Sequence, residues 1–285
     1  MGIAYHELKF LQMVAATRGL GAVVTFARQN LNMSRSELRR EYGDEPELPG
    51  NSEFIEDLLT HRMGATSVAS IDRSNFEGAT HIHDLNDAVT TMPQYDTVLD
   101  FGTSEHIFDI AQAFRNAIAL CKVGGRIVHA LPSNSECGHG FYQISPELLL
   151  SLYSEGNGFR NTEVYIAKIM DEKTWYRVVP DTAGGRITAN SLSATYVLSV
   201  TEKVAEVDHL QVQQSDYVAA WNAGVATRQG PSRLKDKVRS MLKGSIAAGA
   251  ATTVYRSLLA PTGLTPMNRN LRKVLIRDKA RPAGR

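Results

Sequence analysis

The chain has 285 residues, with 31 Lys and Arg against 30 Asp and Glu and a formal net charge of +1. Its 43% hydrophobic and 21% charged content is that of an ordinary globular protein, and its length buries one large core or two small ones. No apolar run approaches the ~20 residues that cross a bilayer. The start lacks the basic and apolar regions of a secretory signal. Two cysteines, Cys121 and Cys137, make no disulfide framework. A cytoplasmic protein is expected.

In chain order, residues 7–18 read as an amphipathic helix, with Leu8, Leu11, Val14 and Ala15 at helical spacing and Gly19 as its stop. Residues 22–26 form a short buried strand. Residues 30–50 are polar, with a helical piece at 36–40 and a loop through Pro46 and Pro49. Ser52 is placed to cap a helix that runs to His61 or Arg62 and stops at Gly64. Strands follow at 67–71, 80–83 and 95–101. Asp109 caps a helix whose apolar face carries Ile110, Ala113, Phe114, Ala117, Ile118 and Cys121. After a strand at 126–131, Ser145-Pro146-Glu147 supplies a cap and a first-turn proline for a helix at 148–154. Late strands are expected at 162–169, 175–179 and 194–200. Strands alternating with helices predict an α/β fold with a doubly wound, mainly parallel sheet.

Residues 226–285 carry 14 Lys and Arg and only two acids. Leu234, Val238, Met241 and Leu242 line one helical face there, and residues 246–259 form a second helical pattern. The expected division is a body at 1–225 and a basic helical C-terminal extension at 226–285. An apolar helix face needs a surface to cover it. The extension is therefore expected to pack on the acidic body, in the same chain or across a homo-oligomer, and nucleic acid is not expected as its partner. His81 and His83, followed by Asp84 and Asp87, share one strand face and make half a metal site. The distant histidines that would complete a metallohydrolase are absent, so no metal is expected.

Residues 95–132 are the most specific stretch. An apolar run ends at Asp100, Gly102-Thr103-Ser104 makes a turn, Glu105-His106 opens the next segment, and a second apolar run ends at Pro132. This unit resembles the second half of a class I S-adenosylmethionine-dependent methyltransferase. The strings Gly138-His139-Gly140-Phe141-Tyr142-Gln143-Ile144-Ser145-Pro146-Glu147-Leu148 and Gln213-Gln214-Ser215-Asp216-Tyr217 resemble a bacterial subgroup of that superfamily. The likeness covers roughly residues 8–222 and implies a Rossmann-like methyltransferase fold with S-adenosyl-L-methionine as cofactor.

The resemblance implies site residues. Asp72 would hold the ribose hydroxyls, and Asp84, Leu85 and Asn86 would meet the adenine. Phe26, Ala27 and Arg28 in the first loop, and Asp100, Gly102, Thr103 and Glu105 at the end of the fourth strand, would also bind the cofactor. The first loop departs from the family's Gly-x-Gly pattern; a left-handed backbone at Ala27 costs on the order of 1 kcal/mol relative to glycine. Arg28 and Gln29 could instead donate to the cofactor carboxylate. His106 and His139 are the candidate bases, since an imidazole can take a hydroxyl proton during methyl transfer. Tyr142 and Gln143 would contact substrate. The expected enzyme is a methyltransferase acting on oxygen of a small molecule or sugar, in natural-product or surface-glycan biosynthesis. Two other readings stand beside it: a degenerate fold serving as a binding or scaffold subunit, and a metal-dependent hydrolase using His81 and His83.

Overall fold

The structure, a computed structural model, describes residues 2–43, 53–180, 186–222, 246–259, 262–265 and 267–276. The elements are β1 (Gly2–Ile3), α1 (Tyr5–Thr17), β2 (Gly21–Phe26), β3 (Asn30–Leu31), α2 (Arg35–Tyr42), α3 (Glu56–Met63), β4 (Ala65–Asp72) and β5 (His81–Ile82). They continue with β6 (Tyr95–Phe101), α4 (Ile110–Leu120), β7 (Cys121–Pro132), α5 (Pro146–Leu152), β8 (Phe159–Lys168), β9 (Thr174–Val178) and β10 (Thr195–Lys203). The last are α6 (Ser215–Asn222), α7 (Ile246–Val254) and β11 (Leu271–Leu275). No helix among the described residues is long and apolar enough to cross a membrane.

Nine strands form one sheet in the order β11-β9-β8-β10-β7-β6-β2-β4-β5. β5, β4, β2, β6 and β7 pair in parallel, and the remaining pairings are antiparallel. The fold is α/β and Rossmann-like, as expected, with five adjacent parallel strands. One of the antiparallel pairings has a local cause. β8 and β9 are joined by residues 169–173, too few for the crossover a parallel pair needs. Successive residues feed opposite faces of the sheet. Val23, Leu99, Val128 and Leu198 pack under α1 and α3 with Leu8, Leu11, Leu58 and Leu59. Val24, Val98, Ile127 and Val197 pack with Phe114, Ala117 and Leu149 on the other side.

The caps at Asp109 and Ser145 are present: Asp109 Oδ1 accepts from Gln112 N at 2.9 Å, and Ser145 accepts from Leu148 N. Gly64 ends α3 in the left-handed conformation. α3 begins at Glu56, and Ser52 lies outside the described residues, as do Pro46, Pro49, Leu234, Val238, Met241 and Leu242. Cys121 corrects the reading that placed it in a helix. The buried Lys203 donates to the carbonyls of Ile118 (2.8 Å) and Cys121 (3.0 Å), capping α4, and Cys121 opens β7. Within the 226–285 segment, α7 continues into a π turn at Tyr255–Leu259, and Leu271–Leu275 is a strand paired with β9 rather than a helix.

Candidate active site

The parallel strands reverse their order between β2 and β6, since the chain runs outward to β4 and returns to β6 on the other side. In open α/β sheets the crevice at the carboxyl ends beside such a switch point receives the ligand. Two left-handed residues stand there. Ala27 follows β2 with φ 52°, and Gly102 follows β6 with φ 73°. Ala27 N donates to Ile71 O at 2.8 Å, which turns the loop toward β4. Thr103 Oγ1 donates to Phe26 O at 2.9 Å and ties the two loops together across the switch.

Beyond Gly102, a 3₁₀ turn at Ser104–His106 presents Glu105 and His106. The loop after β7 brings His139 onto them. Phe141 N donates to Glu105 O at 2.9 Å, and a Cβ on Gly140 would lie 2.9 Å from Glu105 Cγ, so glycine permits this close seat. His139 Nε2 lies 3.3 Å from Glu105 Oε1, and His106 Nε2 lies 3.8 Å from the same oxygen. The two imidazole centroids are 5.6 Å apart. The other ring nitrogen of His139 faces Glu136 Oε2 at 3.9 Å. Tyr196 O–H is 3.5 Å from His139 Nε2.

Glu105 is fully buried, and neither carboxylate oxygen has a hydrogen-bond partner. Burial pushes its carboxyl up to about 8, with the Asp100 carboxylate adding to the rise. Burial holds His106 below the ordinary imidazole value, and His139 adds to that. Burial, then Glu7, Glu105 and Glu136, raise the Tyr196 phenol and keep it a neutral donor.

His106 and His139 line a cavity of about 660 Å³ between the carboxyl ends of β6 and β7 and the start of α1. Its lining includes Glu7, Glu37, Glu136 and Glu172, with His6 and Tyr196. Burial raises the Glu7 carboxyl. His6 has a fixed tautomer: Trp175 Nε1 donates to its Nδ1 at 3.0 Å, so its Nε2 carries the proton toward Ile169 O at 3.3 Å. Sequence reasoning did not find these lining residues. Only Glu136, three positions before His139, carried a local signal.

The other expected site residues are distributed differently. Asp72 ends β4 and accepts from Ser74 N at 3.0 Å. Asp84 accepts from Asn86 N and Nδ2, which hold its carboxyl below the usual range; Arg73 Nε adds a contact at 3.3 Å. Asn86 Oδ1 accepts from Asp109 N, and Leu85 is buried. Phe26 is wholly buried and offers the site only its backbone.

Asp100 needs correcting as a cofactor contact. It is fully buried and accepts from Ser104 N (3.1 Å), Ser104 Oγ (2.6 Å) and His129 Nδ1 (2.9 Å), so it supports the Glu105 turn from beneath. Arg28 is also committed inward. Its Nε donates to Glu56 at 2.6 Å and a terminal nitrogen donates to Glu77 O at 2.8 Å, and its guanidinium lies 3.8 Å from the Phe54 ring centroid. Gln29 Nε2 donates to Phe26 O.

Tyr142 O–H donates to Phe108 O. Gln143 lines a separate cavity with Ser133 and Thr195, away from the histidines. His81 Nε2 meets Tyr95 O–H at 2.9 Å, and His83 Nε2 meets Asp87 O at 3.1 Å.

No family model and no curated protein matches the sequence. Among solved structures, the chain is similar to an S-adenosylmethionine-dependent methyltransferase from Thermotoga maritima, at 15% identity and a TM-score of 0.37 over 70% of this chain and 90% of that one. It is similar to the N-methyltransferase NodS from Bradyrhizobium japonicum at 12% identity and a TM-score of 0.40, covering 70% of this chain and 96% of that one. It is similar to an rRNA methylase from Streptococcus thermophilus at 10% identity and a TM-score of 0.37, covering 72% and 99% of the two chains.

Proposed function

We propose that the chain is an S-adenosylmethionine-dependent methyltransferase that methylates a hydroxyl of a small molecule or sugar. The observation that carries this reading is the position of the Glu105–His106–His139 cluster. It stands at the carboxyl end of β6, beside the switch-point crevice, and Gly102 lines the same cavity as the two histidines. A cofactor in the crevice and an acceptor in the cavity would then meet over Gly102.

The crevice suits a nucleoside cofactor. Asp72 stands at the end of β4, where a carboxylate can accept from two vicinal hydroxyls. The left-handed turns at Ala27 and Gly102 stand at the two strand ends that flank the switch point. Asp72 would hold the ribose, Asp84, Leu85 and Asn86 would border the base, and Ala27, Gly102 and Thr103 would border the amino-acid end. Bound there, S-adenosylmethionine supplies an activated methyl group. This chain's residues position the acceptor and exclude water. His106 or His139, both lining the cavity, would take the proton from the hydroxyl as the methyl group transfers.

Calorimetric titration with S-adenosylhomocysteine tests the reading. One site per chain is expected, and Asp72→Ala should weaken it by roughly 1.5–3 kcal/mol, the range for a hydrogen bond to a charged group. No binding by the folded protein would favour a scaffold role, and unchanged affinity in the variant would remove Asp72 from the site.

A further inference from the structure

We propose that Glu105, His106 and His139 together hold one divalent first-row transition-metal cation at the floor of the cavity. One donor atom from each residue lies within 4.8 Å of the other two. Metal–ligand bonds of about 2.0–2.2 Å separate adjacent donors by about 3.0–3.4 Å. The Glu105–His139 distance of 3.3 Å is already in that range, and the Glu105–His106 distance of 3.8 Å is close to it. His106 is partly exposed, so its ring has room to close the difference.

Three independent observations point to a ligand here. The first is Glu105 itself. A fully buried carboxyl group with no hydrogen bond to either oxygen is costly, and buried polar groups are normally hydrogen-bonded or bound to a ligand. The second is Glu136, whose carboxylate faces the far nitrogen of His139 at 3.9 Å. A carboxylate behind a ligating histidine fixes its tautomer and strengthens it as a donor. The third is the seat of the loop. Gly140 lets the chain approach Glu105 more closely than a Cβ would allow, and the Phe141 N–H bond fastens it there, so His139 is aimed at Glu105 by backbone.

The donor set selects the ion. Two imidazoles and one carboxylate suit Zn²⁺, Co²⁺, Fe²⁺ or Mn²⁺, whereas Ca²⁺ and Mg²⁺ prefer all-oxygen sets. Three protein ligands leave coordination positions open toward the cavity, and Tyr196 must yield the His139 nitrogen that it now touches. Binding of the ion does not depend on the methyltransferase reading; its role does. Under that reading an acceptor oxygen on the open position would ionise more easily, and the histidines would act as ligands in place of bases.

The experiment uses the full chain, stripped with chelator and titrated with Zn²⁺, Mn²⁺ and Co²⁺ individually by calorimetry, with visible absorption followed for Co²⁺. One ion per chain is expected, with a Co²⁺ spectrum of an imidazole-containing site. Glu105→Gln, His106→Ala and His139→Ala should each weaken binding more than about a hundredfold, and Glu136→Gln by about 10–100-fold. His106→Ala alters a partly exposed side chain and keeps the test open if Glu105→Gln fails to fold. His81→Ala should leave binding unchanged. Absence of stoichiometric binding overturns the proposal, as does binding that survives His106→Ala and His139→Ala. S-adenosylhomocysteine titration of the stripped protein is read separately, so failure of the metal site and failure of the methyltransferase reading are distinct results.

Discussion

Asp100→Asn is the sharpest probe of how the site is supported. The substitution keeps size and shape, so no cavity term enters. Asp100 accepts three hydrogen bonds in a fully buried setting, and its Oδ2 alone takes two, from Ser104 Oγ and from His129 Nδ1. His129 Nε2 meets the Tyr153 hydroxyl at 2.6 Å. An asparagine can still accept from Ser104 N through its oxygen. Its amide nitrogen then points at two groups that were donating. Ser104 Oγ must rotate its proton elsewhere and accept from the amide, and His129 must move its proton to Nε2, which leaves the buried Tyr153 hydroxyl proton facing a donor. Two hydrogen bonds to a charged acceptor, at about 1.5–3 kcal/mol each and partly recovered by the new amide, give an expected loss of about 3 kcal/mol. Equilibrium urea unfolding measures it. Tyr153→Phe should cost about 1–3 kcal/mol in the native protein and less in the Asp100→Asn background, because the same chain of bonds is already broken. A loss below about 1 kcal/mol for Asp100→Asn, or strict additivity of the two changes, would refute the three-donor carboxylate.

Two further outcomes follow from backbone and charge. Ala27→Gly should be neutral or slightly stabilising by chemical denaturation, because relief of about 1 kcal/mol at φ 52° is offset by the freer unfolded chain; Ala27→Val should cost more than about 1 kcal/mol, and a costly Gly variant would refute a left-handed Ala27. Asp96 accepts from Ala22 N, pairs with Lys122 and has a depressed pKa, so its contribution is complete above the unfolded value of about 3.9 and disappears as pH falls through the folded value. At nearly half exposure it is worth less than about 1 kcal/mol, and the stability gap to Asp96→Asn should shrink below about pH 4; a gap constant with pH would exclude the ionic origin.

The sequence disclosed what depends on neighbours in the chain. The run at 95–101, the caps at Asp109 and Ser145 and the stop at Gly64 are local signals, and each appears in the fold. The approach of His106 to His139 was legible for a topological reason: both follow carboxyl ends of adjacent parallel strands. What was hidden depends on distant partners. Lys203 ends α4 from 82 residues away, and so moves Cys121 into a strand. Trp175 fixes the His6 tautomer across 169 residues. The inward turn of Asp100 needs His129, and periodicity cannot show a partner across a sheet. β11 was hidden because it lies in the extension expected to be helical, and its pairing to β9 is visible only in three dimensions.

A sheet of nine strands has two outer margins, and unpaired backbone there invites another chain to add itself. This fold blunts both, by different means. At one margin β5 has only two residues, too short a row of free N–H and C=O groups to template a partner. At the other, β11 carries Arg272 and Lys273, both exposed, so a second copy aligning there would set like charges against each other. The basic segment that gives the chain its lopsided charge thus contributes a cationic border that discourages one molecule from extending the sheet of the next.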